Sequence, residues 1–328
     1  LADLLNNLGE LYYRKGLLLH TIVQDGMGNV FTDTRDSFEL KDINNGAALP
    51  ASFADLDHAA AFPALIQTRK LFYEGQTTPG LQTSMTYEYD ALGNVKTYKD
   101  FGDGSPDDWV QADIQYHDND PKYFKSMPAS ISVSIGAGIA RHRETSINPF
   151  GNVVQVRQYL AGGAPAEFDL EYDNYGNLTK ITRPLNHRNQ RLFFDYTYDD
   201  HVQTYVTQVH DGYGYTSKST YEYLFGQVLE TMDMNQQKMV YAIDAKGRLS
   251  TITGPYEIAA GKPYTIAFDY HPDAPVPYAG TKHYDPETGK DIETYTFMDG
   301  LMRPVQVKKT GSLFMAADQA DTAVLIVS

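Results

Sequence analysis

One short pattern constrains this chain more than anything else in it. Two tyrosines separated by one residue are followed by an aspartate, a glycine three residues on, then Asn or Arg and an aliphatic residue. Tyr87-Glu88-Tyr89-Asp90-Ala91-Leu92-Gly93-Asn94-Val95 is the fullest copy. Tyr172-Asp173-Asn174-Tyr175-Gly176-Asn177-Leu178 is a second, and Ile243-Asp244-Ala245-Lys246-Gly247-Arg248-Leu249 a third, with Ala242 and Ile243 in place of the aromatic run. Asp25-Gly26-Met27-Gly28-Asn29-Val30 and Asn148-Pro149-Phe150-Gly151-Asn152-Val153 keep the turn without the tyrosines.

Tyrosines two apart share one face of a β-strand, whereas helical spacing would scatter them. Asp or Asn with Gly three residues later is the signature of a type I turn closed by a left-handed glycine, the geometry of a short hairpin with a bulge. Pro149 reinforces it, because its φ is preset for the second turn position. Each unit therefore reads as strand, turn, strand. Further copies have drifted: Tyr196-Thr197-Tyr198-Asp199-Asp200 has no turn glycine, Tyr221-Glu222-Tyr223-Leu224-Phe225-Gly226 has lost its aspartate, and Asp299-Gly300-Leu301-Met302-Arg303 puts Met at the glycine position. Tandem arrays tolerate such drift because stability is shared with neighbouring units. The fold class expected is all-β, a long antiparallel sheet of tandem hairpins.

The 25 tyrosines, against one tryptophan and no cysteine, fit half-buried hydroxylated aromatics on strands. Without cysteine there is no disulfide, no Cys-ligated zinc and no thiol nucleophile. Forty-two acidic against 27 basic residues give a net charge of -15, which argues against nucleic acid and anionic membranes as partners. No run approaches the roughly 20 apolar residues of a membrane-spanning helix. The first residue is Leu1 and no signal segment precedes it, so the chain reads as a piece of a longer polypeptide.

Along the chain, residues 1–16 read as a leader, with an amphipathic helix carried by Leu1, Leu4, Leu5, Leu8, Leu11 and Tyr12. Residues 17–311 read as the repeat region. Within it, residues 44–63 break the rhythm as an insertion, with a helical turn at Ala59-Ala60-Ala61 stopped by Pro63. Residues 312–328 read as a tail, in which Ala323–Val327 forms a strand whose partner lies beyond the chain end.

These tandem units resemble the YD repeat of the Rhs family, which includes the B components of bacterial insecticidal toxin complexes and the animal teneurins. Thr231-Met232-Asp233-Met234-Asn235-Gln236 is similar to the lead-in of that repeat, with Gln236 at its glycine. Within the family, Lys15-Gly16-Leu17-Leu18 followed by the Asp25 turn looks most like the toxin-complex B type. The resemblance implies a sheet that spirals into a hollow shell enclosing a toxic C-terminal polypeptide, secreted or extracellular. Its partners would be the rest of the shell polypeptide, or a toxin-complex C component with its enclosed toxic domain. The alternative is a cell-surface adhesin or carbohydrate-binding protein, as the teneurin branch implies, with carbohydrate as partner. Self-cleavage in the family follows a Tyr-Asp-Pro-Glu-Thr-Gly turn with Asp-Pro-x-Gly-Leu. This chain has the turn at Tyr284–Gly289 but not the second element, so Asp285 reads as a turn former.

No catalytic, cofactor or metal site is expected. Asp100, Asp103, Asp107 and Asp108 depart from EF-hand spacing and read as a solvated acidic loop. The nine histidines form no metal-binding pair. Gly26-Met27-Gly28 and Gly212-Tyr213-Gly214 lack the following helix that a nucleotide site needs, and no Gly-x-Ser-x-Gly elbow is present. The residues singled out are therefore those of the structural repeat: Tyr87, Tyr89, Asp90, Gly93, Asn148, Gly151, Tyr172, Asp173, Gly176, Asp244, Gly247 and Arg248.

Overall fold

In the computed structural model of the chain, the residues described are 13, 15–49, 61–105, 109–118, 123–136, 138–159, 163–314 and 322–328. The helix expected over residues 1–12, residues 50–60 of the 44–63 insertion, and Asp107 and Asp108 lie outside them. The chain divides into two units, Leu1–Leu170 with Arg183–Arg191, and Glu171–Thr182 with Leu192–Ser328.

The first unit holds β1 (His20–Gln24), β2 (Val30–Asp42), β3 (Ala61–Phe72), β4 (Leu81–Tyr89), β5 (Val95–Asp100), β6 (Val110–Tyr116), β7 (Pro128–Ile135), β8 (Gly138–Ile147) and β9 (Val153–Tyr159). Strands β10 (Ala166–Tyr172) and β11 (Leu178–Leu185) contribute residues to both units. The second unit continues with β12 (Arg191–Tyr198), whose Arg191 alone belongs to the first unit, β13 (Val206–Asp211), β14 (Thr216–Glu222), β15 (Gln227–Met232), β16 (Lys238–Ile243) and β17 (Leu249–Thr253). A one-turn helix α1 (Pro255–Ala259) follows, then β18 (Ile266–His271), β19 (Tyr278–Asp285), β20 (Lys290–Met298), β21 (Pro304–Leu313) and β22 (Thr322–Val327). In both units consecutive strands pair antiparallel, as from β1 to β2, β8 to β9, β12 to β13 and β20 to β21. The chain is all-β, and α1 starts with Pro255 at its first position, where a missing N–H costs nothing.

Register explains why the repeat has the length it does. In β4 and β5 Glu88 stands opposite Thr97, but Tyr89 opposite Val95, so Lys96 is an extra residue that bulges in β5 just after the Asp90 turn. Thr207, Ser250 and Val305 are the extra residues after the turns at Asp199, Asp244 and Asp299. A type I turn followed by one left-handed residue needs this extra residue to match the twist of its strands.

Among the described residues, substantial packing runs only between strands adjacent in the ladder, with α1 resting on β16. The core is accordingly thin. Among the described residues Leu40 and Ala64 are the buried apolar ones, at 6% and 0% exposure, and no large side chain is fully buried. The chain exposes 21822 Å², whereas even two separate compact units sharing its mass would expose roughly 16,000 Å². Cross-strand aromatic pairs replace much of a conventional core: Tyr87 lies opposite Tyr98 with ring centroids 5.4 Å apart, and Tyr205 stacks on Tyr221 at 4.8 Å.

Two sequence expectations give way here. Ala61 and Pro63 are strand residues, at the start of β3, rather than a helical turn and its stop. Pro63 stands opposite Leu40, whose carbonyl accepts from Leu49 N–H on the other side of β2. That pair is therefore a non-hydrogen-bonded one, in which a strand tolerates a residue without an N–H. The tail strand β22 pairs within the chain, its Val327 opposite Lys308 and its Leu325 opposite Thr310 of β21.

Candidate functional site

The turn of the repeat is built by one carboxylate. At Asp90, Oδ1 accepts from Leu92 N at 2.9 Å and from Asn94 N at 2.9 Å. The Asp90 N–H donates to the Asn94 carbonyl, and Gly93 N–H donates back to the Asp90 carbonyl. Asp25, Asn148, Asp173 and Asp244 make the same set. The residue three beyond the Asx is left-handed: φ is +85° at Gly93 and +87° at both Gly151 and Gly176. Gln236 and Met302 hold that conformation at 63° and 59°, where an L side chain is strained.

Alternation of Asn and Arg at the next position has a chemical basis. Asn94 and Asn177 donate Nδ2–H to the second oxygen of Asp90 and Asp173, at 2.9 and 3.0 Å. Arg248 does the same from Nε to Asp244 Oδ2 at 2.7 Å, and Arg303 to Asp299 at 2.8 Å. Both side chains thus present a planar N–H at the distance the free oxygen requires. The N–H of Arg248, followed by its guanidinium, holds the Asp244 carboxyl below the usual carboxylate range. Asn94 and Asn177 additionally donate to the carbonyls of Lys125 and Gln203 in the next connection along the same end of the sheet.

The two tyrosines of a unit do different work. Tyr89 O–H donates to the Leu65 carbonyl at 2.9 Å, and its ring meets Phe62 edge-on at 5.7 Å. Tyr116, Tyr198, Tyr221 and Tyr270 repeat this hydroxyl contact to the carbonyls of Val95, Leu178, Val206 and Leu249. Except at Leu65, each acceptor is the first strand residue after the preceding turn at that end of the sheet. Each such tyrosine stitches one hairpin to the previous one. Burial, with Tyr87 adding to it, pushes the Tyr89 hydroxyl above its usual pKa. Tyr87, by contrast, reaches only the Met85 sulfur, at 4.0 Å. Tyr172 occupies the stitching position ahead of Asp173, half-buried at the end of β10, and its hydroxyl too is pushed up by burial.

Asp199 keeps the aspartate of the pattern without its glycine. Its carboxylate, 3% exposed, accepts from the backbone N–H groups of His201, Val202, Gln203, Thr204 and Tyr205. Burial alone would raise its pKa; the N–H groups of Tyr205, Val202, Thr204 and His201 outweigh it and hold the carboxyl far below the ordinary value. The missing glycine in this copy thus signals a wider loop wrapped around one carboxylate. At Tyr221-Glu222, where the aspartate is lost, Glu222 reaches Leu224 N and Phe225 N instead.

Aromatic rings cover several of the turn glycines. A Cβ at Gly93 would stand 3.5 Å from Phe62, at Gly151 2.8 Å from Phe124, at Gly226 2.6 Å from Tyr205 and at Gly247 2.4 Å from Phe225. The rings at Gly151, Gly226 and Gly247 come from the preceding connection at the same end of the sheet, and Phe62 from the start of β3. Gly176 has open space at that place.

Elsewhere, Ser132 Oγ lies 2.8 Å from His142 Nδ1, and His142 Nε2 lies 3.2 Å from Glu144 Oε1. Ser132 sits in mid-sheet, paired to Asp113 on one side and His142 on the other, so its strand's N–H groups serve the ladder and none forms an oxyanion hole beside it. The row is a cross-strand polar ladder. In the acidic loop Asp100 and Asp103 cap Gly102 N and Ser105 N, and Asp285 caps Glu287 N. Among the described residues no group of three His, Asp or Glu side chains converges as a metal site, and no helix is long and apolar enough to cross a membrane.

No protein-family model matches the chain, and no curated protein matches it. Solved structures do. The crystal structure of TcdB2-TccC3 matches with a TM-score of 0.67 over 91% of this chain at 13% identity. Its form without the hypervariable C-terminal region matches at 0.65, and the TcdB2-TccC3-Cdc42 structure at 0.64, each over 91% of this chain at 12% identity. The chain spans 21 to 23% of the length of those chains. With identity this low, what the chain shares with these toxin-complex proteins is their fold.

Proposed function

We propose that the chain is a non-catalytic structural segment of an Rhs/YD-repeat toxin shell that encloses a toxic C-terminal polypeptide. The observation that carries this reading is the stitched seam. Tyr89, Tyr116, Tyr198, Tyr221 and Tyr270 spend their hydroxyls on backbone carbonyls of the hairpin before, which builds a wall and leaves them unavailable for chemistry. Asp90, Gly93, Asn148, Gly151, Asp173, Gly176, Asp244, Gly247 and Arg248 then act as turn formers, and Tyr87, Tyr89 and Tyr172 as packing and stitching residues. The fold shared with TcdB2-TccC3 supports the same assignment. Residues 17–311 would form wall, in a secreted or extracellular protein. The partners would be the remainder of the shell polypeptide, or a toxin-complex C component with its enclosed toxic domain.

Electron microscopy of the full-length polypeptide with its toxic region tests this. The expected result is a closed shell with these hairpins in its wall and the toxic region protected from protease. A segment projecting as a separate module refutes it.

A second reading, a carbohydrate-binding surface of an adhesin, is favoured by one observation. Tyr213 and Tyr215 are 68% and 54% exposed, and a cleft of about 510 Å³ beside Tyr215 is lined by Gln208, Lys218, Asp233 and Gln236. Glycan-array binding lost on Tyr215→Ala would support it.

A further inference from the structure

Two turns of the second unit depart from the repeat at the position that Asn94, Asn177, Arg248 and Arg303 fill elsewhere. The Asp211 turn joins β13 to β14 and the Asp233 turn joins β15 to β16, and β14 pairs with both β13 and β15. They are therefore successive connections at one end of the sheet. Each carboxylate caps its turn in the usual way, Asp211 Oδ1 accepting from Tyr213 N and Tyr215 N, and Asp233 Oδ1 from Asn235 N and Gln237 N. Tyr215 and Gln237 stand where the repeat carries its planar N–H donor, and neither closes on the second oxygen. Asp233 Oδ2 is left with one long contact, 3.5 Å from Asn235 Nδ2. Between the two turns lies the cleft of about 510 Å³, whose lining includes Gln208, Tyr215, Thr216, Lys218, Asp233 and Gln236. Gln208 stands opposite Lys218 and Lys218 opposite Met232, so one face of three neighbouring strands makes its floor.

The fold leaves the polar side chains of this cleft without partners. The next lysine of the row, Lys238 opposite Met232, pairs with Glu230 at 2.5 Å, and His210 on β13 pairs with Asp195 at 3.5 Å. Among the described residues Lys218 has no such carboxylate, and the side chains of Gln208, Tyr215, Thr216 and Gln236 make no hydrogen bond within the chain. We propose that the cleft binds one neutral pyranose, an assignment that rests on the carbohydrate reading above and gives it a ligand. A sugar hydroxyl both donates and accepts; the cleft offers an ammonium that only donates, a carboxylate oxygen that only accepts, and two amides that do both. Tyr215, 54% exposed, supplies the apolar platform for the C–H face of the ring. Lys218 and Asp233 balance one another, so a uronate or sialate gains no net counter-charge and meets the -15 of the chain. An aliphatic or aromatic ligand would strip water from these side chains without replacing its hydrogen bonds.

The test uses the full 328-residue chain with 13C-methyl methionine, because Met232 and Met234 also line the cleft. The probes are the methyl pyranosides of glucose, galactose and mannose, with methyl glucuronoside as the charged control. The expected result is saturable shifts of the Met232 and Met234 methyls with at least one neutral probe, at a dissociation constant on the order of millimolar, and binding of the glucuronoside several-fold weaker. Gln237→Arg restores the donor that Arg248 and Arg303 supply in their own turns, so it keeps the fold while occupying Asp233 Oδ2. It should weaken binding several-fold, as should Tyr215→Ala. No response to any neutral pyranoside, equal binding of the glucuronoside, or full binding by Gln237→Arg overturns the proposal. A glycan array distinguishes this failure from that of the reading beneath it. Array binding that survives both substitutions keeps the carbohydrate reading and overturns this cleft as its site, whereas no array binding by the parent chain overturns both.

Discussion

Substituting Gly247 by alanine separates two costs that the other turns confound. Gly247 and Gly176 are both left-handed, at φ +75° and +87°, in the same unit. A Cβ at Gly176 meets nothing within 4 Å, whereas at Gly247 it would stand 2.4 Å from Phe225 Cγ and 2.5 Å from Cδ1. Gly176→Ala therefore carries only the backbone cost of an L residue in that region, about 1 to 2 kcal/mol. Gly247→Ala carries that and the displacement of a ring near its root, an overpacking cost of about 1 to 3 kcal/mol more. A long repeat array does not unfold in two states, so the readout is the local opening free energy of amides in β16 and β17, by hydrogen exchange. Repeating Gly247→Ala in a Phe225→Ala background should remove the excess and leave the backbone cost. If Gly247→Ala costs no more than Gly176→Ala, or the excess survives without Phe225, the packing argument is wrong.

Tyr89→Phe should cost about 1 kcal/mol through the lost bond to Leu65, and Tyr87→Phe close to nothing, as measured by exchange in β3 to β5. Asn29→Arg should be tolerated, because Asn29 bonds only to Asp25, whereas Asn177→Arg should loosen the 199–205 loop by losing the bond to the Gln203 carbonyl. The Asp199 carboxyl is depressed in the folded chain, so the unfolded chain takes up its proton first. Its stabilisation is full above about pH 5 and is lost progressively as pH falls through about 4. Denaturant titrations at pH 7 and pH 3 should show a smaller difference for Asp199→Asn than for the parent.

Much of this fold was legible because the repeat writes its turns locally. Asp90, Gly93 and Asn94 act within five residues of one another, and spacing alone carries that information. What spacing could not carry was reach. That Tyr89 bonds to Leu65 and Tyr270 to Leu249 depends on hairpins 24 and 21 residues apart lying side by side. The loop around Asp199 looks like decay in the sequence, since a carboxylate satisfied by five backbone amides leaves no side-chain signature. Pro63 looks like a stop because the sequence does not show which edge of β2 its strand joins. The partner of β22 is hidden in the sequence for a similar reason: apolar alternation marks a strand without naming its neighbour.

The stitches have an evolutionary corollary. Every acceptor, at Leu65, Val95, Leu178, Val206 and Leu249, is a main-chain carbonyl, which any residue supplies. A hairpin that keeps its tyrosine can therefore be duplicated, deleted or exchanged without its neighbour having to co-evolve. Side chains in such a sheet are free to diverge while its backbone persists, as the TM-score of 0.67 at 13% identity illustrates.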